Sequence, residues 1–338
     1  MPYVNLVNQS CVDIQEMFQR FRDFLCKRAG TYDYSTTGIG WTLHDAVYAI
    51  DENTLSSGDY FVVYSPGESG DDDMYIKFTY GTAGTWLYSR GFLYWDNATH
   101  AGVLSFPSTD YDVMPAGSGY KLWVYGDLST FAAVQYNGAY YGGWWGKSEN
   151  LLYSDTVATS SAAVGTGTDV VITLDAVPAT WQVGQALFIR DTVTAKKIVI
   201  KAIAGLDITA DITTAMAAGC KLQADWSFFV SGQNNFYAYQ YGIAAHDGTF
   251  GGSSAYATGS APTLITGSAA PDTMNGDIPA ARIDLYDTTP DAYYGTLRNI
   301  FSVKNTGRVD EEVLVTKEGG QYRYFYLYSL KPVVFMEV

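Results

Sequence analysis

The chain has 338 residues, room for two or three domains with cores of their own, and a hydrophobic fraction of 47% excludes a disordered tail. Its 20 basic and 35 acidic residues give a formal charge of −15, which argues against a large nucleic-acid backbone interface and against an anionic membrane surface. Charged residues reach only 16% and aromatics 15%, with 28 tyrosines. That balance fits either an aromatic-rich β core or a surface partly covered by neighbouring subunits, and the second is the expectation carried forward.

Met1 to Gln9 has neither a charged nor a long apolar run, so no signal peptide is expected. No stretch approaches ~18 apolar residues, so no membrane insertion is expected either. Cys11, Cys26 and Cys220 are sparse and odd in number, which argues against a disulfide framework or a zinc site and for folding in a reducing cytoplasm.

A helix over about 10–29 comes first. Ser10 is its candidate cap, Asp13 favours its positive end, and Gly30 can end it. Ile14, Met17, Phe18, Phe21 and Leu25 fall on one stripe, while Gln15, Glu16, Gln19, Arg20, Arg22 and Asp23 lie mostly opposite. The stripe must dock, either on a sheet of its own chain or on a neighbouring subunit, which makes its five residues a candidate interface.

Short aromatic and β-branched runs follow, separated by turn residues: Asp59 to Tyr64, Met74 to Tyr80, Gly84 to Tyr88, Gly91 to Trp95, Tyr120 to Tyr125 and Phe131 to Tyr136. Met74 to Tyr80 alternates, with Tyr75 and Lys77 on one side and Ile76 and Phe78 on the other. The stretch from Ser65 to Asp73 is read as a loop with a solvated acidic run at Asp71, Asp72 and Asp73. Regular short strands with glycine-rich turns indicate an antiparallel sandwich or barrel.

Residues 151–225 change composition. They hold only three aromatics, Tyr153, Trp181 and Phe188, and are rich in Ala, Thr, Val and Ile. The aromatic pattern resumes at Trp226 to Val230 and Phe236 to Tyr241. The break reads as a small β domain, 151–225, inserted into an aromatic-rich host domain made of 1–150 and 226–338. Its expected strands are Asp169 to Leu174, Ala186 to Arg190, Lys197 to Ile203 and Leu206 to Ala210. Residues 242–275, rich in Gly, Ser, Ala and Thr, are expected to form an extended loop. The tail regains strand character at Glu312 to Thr316, Gln321 to Tyr328 and Val333 to Met336. In the second of these Tyr322, Tyr324, Tyr326 and Tyr328 share one face, with Arg323, Phe325 and Leu327 opposite, so both faces are expected to be covered. The fold class is therefore mainly β: an antiparallel sandwich or barrel host with an N-terminal amphipathic helix and a small inserted β domain.

Within 151–225, Val183-Gly-Gln-Ala-Leu-Phe-Ile-Arg-Asp191, Ile198 to Gly205, Leu206 to Ala210 and Thr214 to Cys220 resemble a small β module of tailed-bacteriophage virion proteins. The match covers about 45 residues. The host part, with Pro2-Tyr-Val-Asn5, the helix and Gly91 to Gly102, also resembles virion proteins of the tail and neck. The resemblance implies a structural role in a particle and supplies no catalytic residue.

The histidines, His44, His100 and His246, lack a second His or a Cys at ligand spacing, so zinc is not expected. Each has an aspartate nearby in sequence, but there is no G-x-S-x-G elbow. Asp71 to Asp73 lack the alternation and closing glutamate of a calcium loop, and Gly81-Thr-Ala-Gly84 and Gly117-Ser-Gly119 are turn glycines without the Lys-Ser/Thr ending of a phosphate loop. No enzyme activity and no cofactor are expected.

The expected function is a structural subunit of a phage tail, baseplate or neck/collar. It would be a ring-forming homo-oligomer in contact with other phage structural proteins, located in the virion and assembled in the host cytoplasm. Its candidate contacts are the helix stripe and the C-terminal tyrosines. The alternative is a peripheral receptor- or glycan-binding protein, with Trp144 and Trp145 as candidate stacking residues.

Overall fold

A computed structural model describes residues 3–68, 70, 72–82, 84–116, 120–148, 156–190, 195–224, 227–232, 237–243, 250–251, 254–257, 280–288, 291–303, 310–315, 320–327 and 331–337. The fold is mainly β. The first part of the chain forms β1 (Val4–Ser10), α1 (Ile14–Leu25), β2 (Thr42–Val47), β3 (Tyr60–Ser65), β4 (Met74–Tyr80), β5 (Thr85–Asp96), β6 (Ala101–Pro115), β7 (Lys121–Gly126), β8 (Thr130–Tyr136) and β9 (Tyr140–Lys147). Next come β10 (Thr156–Thr159), β11 (Gly167–Thr173), β12 (Ala186–Arg190), β13 (Ala195–Val199), β14 (Ala202–Ala204), β15 (Asp207–Ile212) and β16 (Lys221–Ala224). The last part holds β17 (Ser227–Gly232), β18 (Tyr237–Ile243), β19 (Phe250–Gly251), β20 (Ser254–Ala257), β21 (Ala280–Thr288), β22 (Asp291–Val303), β23 (Val313–Val315), β24 (Gln321–Leu327) and β25 (Lys331–Glu337).

Strands β2 to β6 form one sheet in sequence order. A second, long sheet runs β1-β7-β8-β9-β17-β18-β20-β21-β22-β25-β24-β23, with β19 on β18. It curls back on itself, because β24 also touches β9 in parallel at Leu327 and Tyr140. Between β9 and β17, which are hydrogen-bonded neighbours, the chain builds two small sheets, β10-β16-β12-β13 and β11-β15-β14. They enclose their own core, with Ile172, Leu187, Ile189, Ile208 and Leu222 buried in it.

Period-two alternation in β7, β8 and β9 assigns their side chains to two different cores. Leu122, Val124, Phe131, Ala133 and Trp145 enter the core that holds α1 and the inner residues of β3 and β4. Trp123, Tyr125, Ala132, Val134 and Trp144 enter a second core with Ile300, Phe325, Leu327, Val333 and Phe335. A sheet covered on both faces has no use for polar alternation, which accounts for the low charge of this stretch.

Several expectations are corrected. The helix spans Ile14–Leu25 rather than 10–29. Asp13 is its cap, its side chain accepting the Glu16 N–H at 2.8 Å, whereas Ser10 ends β1. Cys26 closes the helix and Lys27 takes a left-handed φ of 48°. Gly30 serves another purpose: a Cβ there would lie 2.5 Å from an Asp23 carboxylate oxygen. Of the helix stripe, Met17, Phe18, Phe21 and Leu25 are fully buried in their own chain, with Ile14 packed beside them. They are core, not interface. Phe18 meets Phe61 edge-on at 5.1 Å and Phe21 meets Phe78 likewise at 5.1 Å.

The polar side of α1 is covered as well. Arg22 and Asp23 are fully buried and paired at 2.8 Å. Arg22 also donates to the Tyr48 hydroxyl at 3.0 Å and to Thr31 Oγ1 at 3.1 Å, while Asp23 accepts the Tyr32 N–H at 2.9 Å. Gln15 and Gln19 donate to the carbonyls of Asn53 and Glu52. A lone sequence face cannot reveal that a polar stripe will be roofed by its own loop.

Two strand boundaries also differ. Gly84 to Tyr88 and Gly91 to Trp95 belong to one strand, β5, and Lys197 to Ile203 divides into β13 and β14. Within 242–275, Ser254–Ala257 is a strand paired with β18 and β21 rather than part of an extended loop, and much of the remainder lies outside the described residues.

The buried pair makes one expectation quantitative. Arg22→Met leaves the buried Asp23 carboxylate with only the more distant Arg28, at 3.8 Å, as counter-charge, so urea unfolding should register a loss of about 3 kcal/mol. A loss under about 1 kcal/mol, the range of an exposed pair, contradicts this account of α1.

Candidate functional site

The outer face of the β2–β6 sheet carries the candidate. Cross-strand register sets Thr42, Tyr64, Tyr75 and Phe92 in one row and Val62, Lys77 and Arg90 in the next. Tyr64 and Tyr75 stand 4.9 Å apart between ring centroids, His44 lies 5.1 Å from Tyr75, and Tyr94 6.0 Å from it. All four side chains are half-buried. The opposite residues of β4, Met74, Ile76 and Phe78, are fully buried under α1, so the alternation that fills the core also aims the tyrosines outward.

Charge lies around the rim. Asp110 accepts Lys77 Nζ at 3.2 Å and Thr79 Oγ1 at 2.8 Å. Asp73 accepts the Tyr64 hydroxyl at 2.8 Å. Asp45 accepts Trp95 Nε1 at 2.7 Å and pairs with His100 Nδ1 at 2.9 Å. An aromatic, uncharged centre with a polar rim is the anatomy of a protein–protein contact. Desolvation pushes the Tyr75 hydroxyl up to about 12, so at neutral pH it remains a neutral group that donates and accepts hydrogen bonds.

The sequence-derived candidates take other places. Trp144 and Trp145 are 2% and 0% exposed and face the two cores, so neither can stack on a sugar. Tyr324 is buried against Leu314, while Tyr322 and Tyr326 are half-buried beside them; Tyr328 lies outside the described residues. The opposite residues Phe325 and Leu327 line the second core, so the covering of this strand comes from its own chain. Within the acidic run Asp72 is not solvated, being 2% exposed and paired with Lys147 at 2.9 Å; Asp73, partly exposed, pairs with Lys221 at 3.0 Å, and Asp71 lies outside the described residues. Among the histidines, His100 pairs with Asp45 rather than with Asp96, which caps its own turn at Ala98 and Thr99. His44 approaches the Trp95 carbonyl at 3.4 Å, and His246 lies outside the described residues.

A second polar cluster seals the seam where the C-terminal strands meet β7 and β9. Glu311, held at a left-handed φ of 67°, accepts the Tyr140 hydroxyl at 2.7 Å and Lys121 Nζ at 3.2 Å. Arg323 reaches the Glu311 carbonyl at 2.8 Å and grips Glu337 with two nitrogens. Each of these groups is engaged in joining strands. Burial raises the thiols of Cys11 and Cys26 to about 12, which keeps them protonated and unreactive. Among the described residues no group of three His, Cys, Asp or Glu side chains is placed to hold a metal ion, and no helix is long and apolar enough to cross a membrane.

Sequence patterning gave Tyr75 its side of β4 but not its neighbours. His44, Tyr64 and Tyr94 come from three other strands, and only the register unites them.

Asp310 supplies a pH test. Burial, and then the negative charge of Glu311, raise its carboxyl above the ordinary 3.8, against the lowering effect of the Tyr326 N–H it accepts. A raised folded value contributes stability at acid pH that is lost as pH climbs through it. Asp310→Asn keeps an acceptor and removes the charge. It should melt above the parent protein at pH 7, with the gap closing near about pH 3, below the ordinary carboxyl range. Thermal scans at the two pH values decide, and an equal gap at both contradicts the assignment.

No family model matches the sequence, and no curated protein matches it either.

Proposed function

We infer that this chain is a structural subunit of a tailed-phage particle, in its tail, baseplate or neck. On this reading it acts by self-association and by contact with other virion proteins, in an assembly of ring symmetry. The phage context rests on the resemblance of Val183 to Cys220 to a virion β module. The observation that carries the mode of action is the outward row of Tyr64, Tyr75 and Tyr94 with His44.

The physical case is a division of labour among aromatics. Every described tryptophan is buried, whereas most described tyrosines are half-buried. A tyrosine at a boundary offers a broad apolar ring at low entropic cost and a hydroxyl that remains satisfied with or without a partner. Rows of such rings on a pleated sheet make a flat, adhesive, low-charge surface. The work is binding and needs neither a cofactor nor an acid–base pair.

Native mass spectrometry across a concentration series tests the reading. The parent protein should give a defined oligomer. Tyr75→Ser, which removes the central ring of the row, should weaken association at least roughly tenfold, the effect of losing one interface anchor. A parent that remains monomeric at every concentration, and that is missing from purified particles, overturns it.

A further inference from the structure

The chain leaves the large sheet at the end of β9, at Lys147, and the last strand before it returns, β16, begins at Lys221. Both lysines are held by one loop, between β3 and β4. Asp72, 2% exposed, binds Lys147 at 2.9 Å, and the next residue, Asp73, binds Lys221 at 3.0 Å. The loop is shaped for this. Gly67 has a φ of +69°, and a Cβ there would lie 2.0 Å from an Asp72 carboxylate oxygen, so only glycine admits that carboxylate. Asp73 itself has a left-handed φ of 42° and accepts the Tyr64 hydroxyl at 2.8 Å. The loop is fastened from below as well: the Glu68 N–H donates to Ser129 Oγ at 3.0 Å, and Ser65 Oγ donates to the Leu128 carbonyl.

A third contact is apolar. In β12, Leu187 and Ile189 fill the core of the two small sheets, while Phe188, pointing the other way and fully buried, belongs to the core that holds α1. β12 therefore has one face in each body.

We propose that residues 156–224 form an arm pivoting on Phe188, whose angle to the rest of the molecule is locked by the Asp73–Lys221 pair, while the Asp72–Lys147 pair pins the loop to the end of β9 and so fixes where Asp73 stands. Apolar burial is non-directional and tolerates a ring rocking in its pocket. An ion pair is not so forgiving: with Lys221 and Asp73 at 3.0 Å, a displacement of the arm by a few ångströms would part them. The two kinds of contact thus divide the task, Phe188 keeping the arm attached and the anchored Asp73 fixing its direction. The lock is independent of whether Tyr64, Tyr75 and Tyr94 bind a neighbour.

Spin labels at Ile50→Cys and Leu206→Cys, both well exposed, report the angle as a distance distribution in a chain carrying Cys11→Ala, Cys26→Ala and Cys220→Ala. The locked arm should give one narrow distance. Asp73→Asn should at least double the width of the distribution while both cores still melt cooperatively. A width unchanged from the locked chain overturns the proposal, as does a broad distribution before any lock residue is changed. Lys221→Met repeats the test from the arm's side of the pair, and remains informative if Asp73→Asn fails to fold: broadening supports the lock, and a parent-like width overturns it.

Discussion

Strands β7, β8 and β9 must bury side chains on both faces, and the rest of the molecule is arranged to let them. On one side α1 and the β2–β6 sheet close over Leu122, Val124, Phe131 and Trp145; on the other β22, β24 and β25 close over Trp123, Tyr125, Val134 and Trp144. Two cores back to back need large side chains to fill them at interior density. That is where the tryptophans go, with Phe131 and Trp145 stacked at 5.2 Å and Tyr125 on Phe335 at 5.1 Å. The low charge and high aromatic content of the chain follow from this layering before any partner is invoked.

Local order was readable wherever one alternation or one helical stripe determined it. The alternation of Met74 to Tyr80 set Tyr75 and Lys77 opposite Ile76 and Phe78, and the second pair is the one that is buried; the apolar stripe of α1 likewise marked the face that packs. What could not be read were events between distant segments. The polar side of α1 is buried because residues 28–55 supply Thr31, Tyr32, Tyr48 and Glu52 to it. Asp72 and Asp73 look solvated in sequence because their lysines stand about 75 and 148 positions away. Trp144 and Trp145 look alike in sequence, yet consecutive strand positions send them to different cores. The tyrosine row was hidden for the same reason, since register assembles it from four strands.

What remains at the surface is consistent with a molecule that works by fit. Tyr64, Tyr75 and Tyr94 are supported from beneath by the same sheet that packs on α1, so the outer face inherits the rigidity of the core. The seam around Glu311, Arg323 and Glu337 holds the C-terminal strands on the central sheet, and the Asp72–Asp73 loop touches Lys221 on one side and Lys147, at the end of β9, on the other. The surfaces of the molecule thus stand in a fixed relation, as the proposed role in a symmetric assembly would require.

The central claim is that the outer tyrosine row, not the aromatic interior, meets a partner. Tyrosine nitration followed by peptide mass spectrometry, run at dilute and at concentrated protein, addresses it residue by residue. The account predicts that Tyr64, Tyr75 and Tyr94 react in dilute protein and become protected on concentration, with Tyr125 and Tyr324 unreactive throughout. Equal reactivity of the row at both concentrations would contradict it.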